Sequence, residues 1–381
     1  MNDLNIKGFY DNDTTRLKKF YYKAFGERAK YKYPERFNWL FKDNPFEKRI
    51  YPYINIAELD GEIIGHSSAY LVKCKVFENS TELAWGIDSI VLSRFRGCGI
   101  GTKLQKKNLG DHIFYASLNM SDAIKHIRKK LGGVQGPLVN NYAKLLKYSL
   151  EYNCHKNYFY SFILFLLNPF LYVVLKITQF IRGIKHQKDQ IAITFPLPAD
   201  FGGDEDSLWQ SIRGRYNFAV ERNTEYLNWR YKKQPWTHHY CCRAYDDSNI
   251  LIGFIIYRLT EETKPKAGVI LEIISNFSYT ITPLLIAAEK HLIKLGAVQI
   301  QIASSEKLVH DAVTSNGYFR VDKKVLVLNG PDDTIKRYKL DFQALISKGD
   351  QDWDQFPRAK IYTPAHIIKN NLKLCHNFFK A

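Results

Sequence analysis

The apolar run Trp85–Leu92 leads directly into Ser93-Arg94-Phe95-Arg96-Gly97-Cys98-Gly99-Ile100-Gly101-Thr102-Lys103-Leu104. The first part reads as a β-strand and the last residues as the start of a helix. Between them lies a basic, glycine-rich turn. Glycines let a backbone come close to a ligand. The leading N–H groups of a helix have no partner within it, and its dipole favours negative charge there. Such a turn cradles a phosphate or a pyrophosphate. It is not a P-loop, because no Gly-Lys-Ser/Thr closes it, and it does not match G-x-G-x-x-G.

The turn resembles the acyl-CoA pyrophosphate loop of the GNAT family of N-acyltransferases, R/Q-x-x-G-x-G/A, at Arg96, Gly99 and Gly101. The wider family form, V-x-P-x-Y-R-G-x-G-I-G, is matched at Val91, Phe95, Arg96, Gly97, Gly99, Ile100 and Gly101, with Ser93 in place of the proline. The resemblance covers residues 50–135. It implies that the backbone from Gly97 through Cys98, Gly99, Ile100 and Gly101 to Thr102 holds the pyrophosphate of acetyl-CoA or another acyl-CoA. It also implies that strand Ala84–Leu92 splays from strand Ile113–Leu118 to admit the pantetheine, and that Asn119 matches a common family asparagine. Transfer in the family is usually direct attack of an amine on the thioester.

A general base for that amine needs only to reach its proton, directly or through one water. In the family it is often a carboxylate on the strand before the loop, so the candidates are Asp88 and Glu82. Asp88 sits in an otherwise apolar strand, and burial there would raise its pKa towards a useful range. It fits a hydrogen-bonded structural carboxylate equally well. Glu82 reads better as a solvated residue at the start of the strand. Many family members place a tyrosine on the last helix to protonate the leaving thiolate. Here that helix, around Ala123–Leu131, has no tyrosine. His126 and Tyr142 are the substitutes, although a lone histidine in a basic helix is more simply a solvated one.

The elements that must position this loop occur twice. Glu35, Asn38, Trp39, Phe41, Lys42, Pro45 and Phe46 reappear in the same spacing as Glu225, Asn228, Trp229, Tyr231, Lys232, Pro235 and Trp236. Hairpin signals follow each copy, then a strand, a helix, a strand and a helix closed by glycine, Gly132 or Gly317. The expected fold class is α/β with mixed α+β character: two tandem GNAT-like domains, each a mixed central sheet flanked by helices. The boundaries fall at 1–150, a connector at 151–190, a second domain at 191–350 and a basic tail at 351–381. The second copy has Ser278–Ile286 where the loop would stand, without glycine or arginine, and reads as degenerate. Trp39 and Trp229 either line an acceptor site or, the better reading, pack helix against sheet.

The 381 residues, 45% hydrophobic and 24% charged, suit a globular chain of two or three domains and exclude a disordered or collagen-like one. The formal charge of +17 calls for an anionic partner. Eleven lysines and arginines and only Glu151 among acids fall between Lys125 and Lys188. Inside that window Tyr158–Leu175 carries no charge over 18 residues, the lower limit for a membrane span. Asn168-Pro169 interrupts it and predicts two short apolar helices. The competing readings are an interfacial or re-entrant anchor facing anionic lipid, a buried hairpin and a single span. The tail from Pro364 spaces apolar residues among lysines, as a second membrane-touching helix or one packed on a domain. Six cysteines without CxxC or zinc spacing, and a polar N-terminus, point to a reducing, cytoplasmic compartment, and the basic apolar connector would set the protein at the inner face of the membrane.

Three functions follow. The first is an acyl-CoA-dependent N-acyltransferase with an amine acceptor on a sugar or lipid-linked glycan intermediate. The second is an aminoacyl-tRNA-dependent transferase of the peptidoglycan-bridge type, with tRNA as the less favoured partner. The third is a non-catalytic membrane-associated binding protein on a relic fold.

Overall fold

A computed structural model describes residues 4–153, 158–183, 191–334, 342–351 and 357–378. Among the described residues, fifteen strands form one mixed sheet. In the N-terminal part these are β1 (Asn5–Gly8), β2 (Ile54–Leu59), β3 (Glu62–Val76), β4 (Asn79–Val91), β5 (Tyr115–Ser117) and β6 (Val134–Leu145). The C-terminal part adds β7 (Ala192–Ile193), β8 (Leu197–Pro198), β9 (Phe218–Val220), β10 (His239–Tyr245), β11 (Leu251–Leu259), β12 (Ala267–Ser275), β13 (Gln299–Ser304), β14 (Phe319–Asn329) and β15 (Ala344–Leu345). The helices flanking the sheet are α1 (Thr14–Phe25), α2 (Glu35–Phe41), α3 (Ile100–Asp111), α4 (Asp122–Lys130), α5 (Tyr158–Gly183), α6 (Gly203–Ile212), α7 (Thr224–Leu227), α8 (Ser278–Lys294), α9 (Lys307–Ser315) and α10 (Pro364–Phe378).

The main strand order is β1-β2-β3-β4-β5-β14-β6-β13-β12-β11-β10-β7. It is close to palindromic. On one side a three-stranded antiparallel meander, β2-β3-β4, is followed by the parallel strand β5; on the other β10-β11-β12 is followed by the parallel strand β13. The closing strands are exchanged. β14, late in the chain, pairs with β5, whereas β6, early in the chain, pairs with β13. β6 and β14 pair antiparallel in the centre. The two halves therefore share one sheet and one main apolar core, which runs from Trp39 and Trp85 to Trp209 and Trp229.

The duplicated Trp residues sit in that core, each 1% exposed. The packing reading of the repeat is the one the side chains follow. Two glycine ends also match expectation: Gly132 and Gly317 take left-handed φ values of 83° and 81° after α4 and α9.

The apolar connector differs from expectation. α5 runs unbroken from Tyr158 to Gly183 with Pro169 inside it. Proline removes the hydrogen bond to the carbonyl four residues earlier. Pro169 lies on the exposed side of the helix, beside exposed Phe165 and Phe170. Neighbouring Asn168 is fully buried. Its Nδ2 donates to the Tyr152 carbonyl (3.2 Å), and its Oδ1 accepts from the Ala365 N–H (3.2 Å). The tail helix α10 packs on α5 and β14 through Ile367, which is buried. Among the described residues, no helix is long and apolar enough to cross a membrane.

Candidate active site

The glycine-rich loop forms where the sequence places it. β4 ends at Val91, and α3 starts at Ile100 behind Gly99. Gly97 and Gly99 adopt φ of 85° and 76°, the left-handed region that favours glycine, and a Cβ on either would meet open space. That side of the loop is open to solvent. No acceptor among the described residues takes the N–H groups of Gly97, Cys98, Gly99, Ile100, Gly101 or Thr102. They point from the N-terminus of a twelve-residue helix, as an anion cradle requires.

The basic side chains near the loop are partly committed. Arg96 Nε donates to the Val91 carbonyl (3.0 Å), bracing the turn. Arg94 pairs with Glu62 (2.9 Å). Ile100 and Leu104 bury against Ala57 and Ile64, and Gly65 leaves room for that approach: its Cβ would stand 3.2–3.3 Å from these side chains. A buried polar lattice fixes the other side of α3. Gln105 donates to Ser67 (3.1 Å) and Ser89 (3.0 Å), and Asn108 to Ser67 (2.7 Å) and the Tyr115 hydroxyl (3.0 Å).

The expected splay has a local cause. β4 and β5 pair in parallel only at Ala84–Tyr115 and Trp85–Ala116. Just beyond, β4 bulges: His66 pairs with Ile90 and Ser68 with Ile87, so Asp88 and Ser89 together oppose Ser67. Asp88 takes φ 51°. A bulge of this kind bends its strand and re-aims its side chains.

A residue far along the chain fills the apex of that gap. Gln351 Nε2 donates to the Gly86 carbonyl (2.6 Å), and its Oε1 accepts from the N–H groups of Leu118 (3.1 Å) and Asn119 (3.0 Å). Its own carbonyl accepts from the Tyr70 hydroxyl and from Arg230, both at 2.9 Å. The preceding turn is anchored by Asp350, which is buried and accepts from Arg222 (2.7 Å) and the Ser347 N–H (2.9 Å). Gln351 has a left-handed φ of 57°, so a non-glycine residue is held in an uncommon conformation at this point.

Asp88 is buried, as its apolar strand suggests, but its pKa moves opposite to the expectation. Burial pushes the carboxyl up. Arg36, at 2.6 Å, and Lys32, in direct contact, outweigh burial and hold it well below the usual carboxylate range. A carboxylate so firmly charged is a poor proton acceptor at neutral pH. It serves instead as the counter-ion of two buried cations. Behind it, His66 Nδ1 donates to the Asp88 carbonyl (2.9 Å), which leaves Nε2 to accept from the Tyr21 hydroxyl (3.2 Å). Burial pulls the His66 imidazole down to about 4, so it is neutral at pH 7.

The other candidates scatter. Glu82 is exposed, pairs across from Lys73, and lies on the far side of the β4–β5 pairing from the splay. Nine residues separate it from Val91, about 30 Å of strand at ~3.3 Å per residue. His126 is exposed on α4, which runs beside the loop: a Cβ on Gly101 would stand 3.6 Å from the side chain of Ile127. Asn119 is exposed at the end of β5, held by Gln351. Tyr142 lies on β6, the third strand from β4 and about 14 Å away at ~4.8 Å per strand. It packs with the C-terminal half.

Lys32, Arg36, His66 and Gln351 are the residues that reading the sequence did not single out. Lys32 and Arg36 stand in a helical segment rich in exposed bases, and Gln351 follows an unremarkable Lys-Gly-Asp.

Comparison with known proteins agrees with this geometry. Residues 15–109, from α1 through the loop and most of α3, match the Acetyltransferase (GNAT) family. No curated protein sequence matches the chain. Among solved structures, a GCN5-related N-acetyltransferase from Anabaena variabilis is similar at TM-score 0.55 and 10% identity, over 85% of this chain and 72% of that one. A GCN5-related N-acetyltransferase from Kribbella flavida aligns at TM-score 0.55 and 12% identity, over 87% and 72%. The N-myristoyltransferase of Saccharomyces cerevisiae with bound myristoyl-CoA aligns at TM-score 0.52 and 10% identity, over 86% and 83%. At such identities the likeness is one of fold. Residues 15–109 are thus similar to the Acetyltransferase (GNAT) family, within a mixed α/β architecture that shares its fold with these acyltransferase structures.

Proposed function

We propose that the protein is an acyl-CoA-dependent N-acyltransferase built from two GNAT-like halves, the second without a cofactor loop. The carrying observation is the row of unpartnered N–H groups from Gly97 to Thr102 at the start of α3, beside the β4–β5 splay. Those N–H groups, with Gly97 and Gly99 open to the ligand, fit the pyrophosphate of acetyl-CoA or another acyl-CoA. In the second half β12 ends at Ser275 and α8 begins at Ser278, with no glycine between them, which supports reading that half as lacking the cradle.

The bound acyl-CoA supplies an activated thioester. An acceptor amine attacks its carbonyl carbon, the new C–N bond forms as the C–S bond breaks, and the thiolate leaves with the amine's proton passing to water. The chain's part is chiefly positioning. The bulge at Asp88–Ser89 opens β4 from β5, Lys32 and Arg36 lock the bulge through Asp88, and Gln351 fixes the apex. The acceptor is an amine of a sugar or lipid-linked glycan intermediate.

Calorimetric titration with acetyl-CoA tests the reading. Micromolar binding to the wild type, weakened about tenfold or more in Arg96→Ala/Gly99→Ala, supports it. Absence of binding to the folded wild type defeats it.

A further inference from the structure

We propose that α5 is an interfacial helix that lies flat on an anionic lipid bilayer. Its polarity is inverted for a helix on a protein in water. The inward face, at Asn168, Tyr172, Leu175 and Gln179, contains two amides, and Asn168 and Gln179 are buried. The outward face carries Phe162, Leu166, Phe170, Val173, Ile177 and Phe180, with Phe170 68% and Phe180 72% exposed. These positions recur every three to four residues, so they form one stripe along the helix. From Phe162 to Phe180 it runs about 27 Å at ~1.5 Å per residue. Monomers in water seldom expose a contiguous apolar surface of this kind.

Charge identifies the occupant. Neither α5 nor α10, which packs beside it, contains an aspartate or glutamate, while they contribute Lys176, Arg182, Lys369 and Lys373. An apolar stripe in an acid-free, basic helix pair complements an anionic lipid surface. The basic excess noted in the sequence is thinned elsewhere: Arg128 is buried against Tyr115, Ser117 and Asn329, and Lys144 pairs with Glu289. The inward polar face is protein-covered, which sets the helix along the bilayer and not through it.

Vesicle flotation tests this, with phosphatidylcholine alone and with phosphatidylcholine containing one third phosphatidylglycerol. The expected result is binding to the anionic vesicles, reduced at least tenfold in Phe170→Glu/Phe180→Glu and weakened by salt. Because both side chains are exposed, the variant should keep the wild-type circular dichroism and acetyl-CoA affinity. The proposal is overturned if the folded wild type ignores anionic vesicles, or if the double variant binds them equally. It is also overturned if light scattering shows a wild-type dimer that the variant abolishes without any vesicle binding, since a second copy would then be the occupant.

Discussion

The indoles of Trp39 and Trp229 stack with centroids 5.0 Å apart and exchange hydrogen bonds. Trp39 Nε1 donates to the Trp229 carbonyl (3.0 Å), and Trp229 Nε1 to the Trp39 carbonyl (3.1 Å). The reciprocity extends outwards. Phe46 meets the edge of Trp229 at 6.1 Å, and Trp236, at the matching place in the repeat, meets Trp39 at 5.1 Å. The repeated motif is thus a self-complementary contact that joins the two halves. Trp39→Ala and Trp229→Ala should each cost about 3–5 kcal/mol. The double variant should cost clearly less than their sum, with a coupling of about 1–3 kcal/mol in urea unfolding. Strict additivity would refute the pairing as an energetic unit.

Asp88 anchors the second prediction. Asp88→Asn leaves the Lys32 and Arg36 charges buried with their counter-ion gone, a loss on the order of 3–5 kcal/mol. Lys32→Met/Asp88→Asn, which removes one of the charges, should recover part of it. Unfolding free energies of the three proteins at pH 7 decide the matter, and equal stabilities would show that the cluster is not a lock.

Acid should weaken the fold through His66. Its folded pKa, about 4, lies below the ordinary value of about 6.5. Between those values the unfolded chain binds a proton that the folded chain excludes, so stability falls as pH drops from 6.5 towards 4 and rises with pH in that window. The span limits the effect of this residue to about 3 kcal/mol. His66→Gln should flatten the slope of stability against pH between 7 and 5, whatever it does to stability at pH 7. An unchanged slope would assign the acid sensitivity elsewhere.

Gln351 should control local opening at the apex. Gln351→Ala removes the acceptor of the Leu118 and Asn119 N–H groups. Hydrogen–deuterium exchange in a peptide covering residues 115–120 should accelerate at least tenfold, while acetyl-CoA affinity, set by a separate loop, stays within about twofold. Unaltered exchange would mean the glutamine only fills space.

The loop was legible because everything it needs is local: glycines in sequence, a strand before and a helix after. The meanders and the glycine helix ends were legible for the same reason. The direction of the Asp88 shift was not. A hydrophobic strand reports burial, but the cations that reverse its effect arrive from Lys32 and Arg36, more than fifty positions earlier. Gln351 reaches Gly86 across 265 positions, and no spacing rule records such a meeting. Pro169 misled because one lost hydrogen bond did not end the helix: α5 continues through it, with the proline on its exposed side.

The exchange of β6 and β14 also sets an order of events during synthesis. β5 leaves the ribosome long before its neighbour β14, which begins about 200 residues later. At roughly 5–20 residues per second, the edge of β5 waits about 10–40 s for its partner. During that interval β6 is the one closing strand available, and its destination, β13, has not been made. A nascent chain in this state carries two unpaired sheet edges, the hazard that folded proteins cover. The architecture that gives the finished protein a single sheet thus makes its first half dependent on the completion of its second.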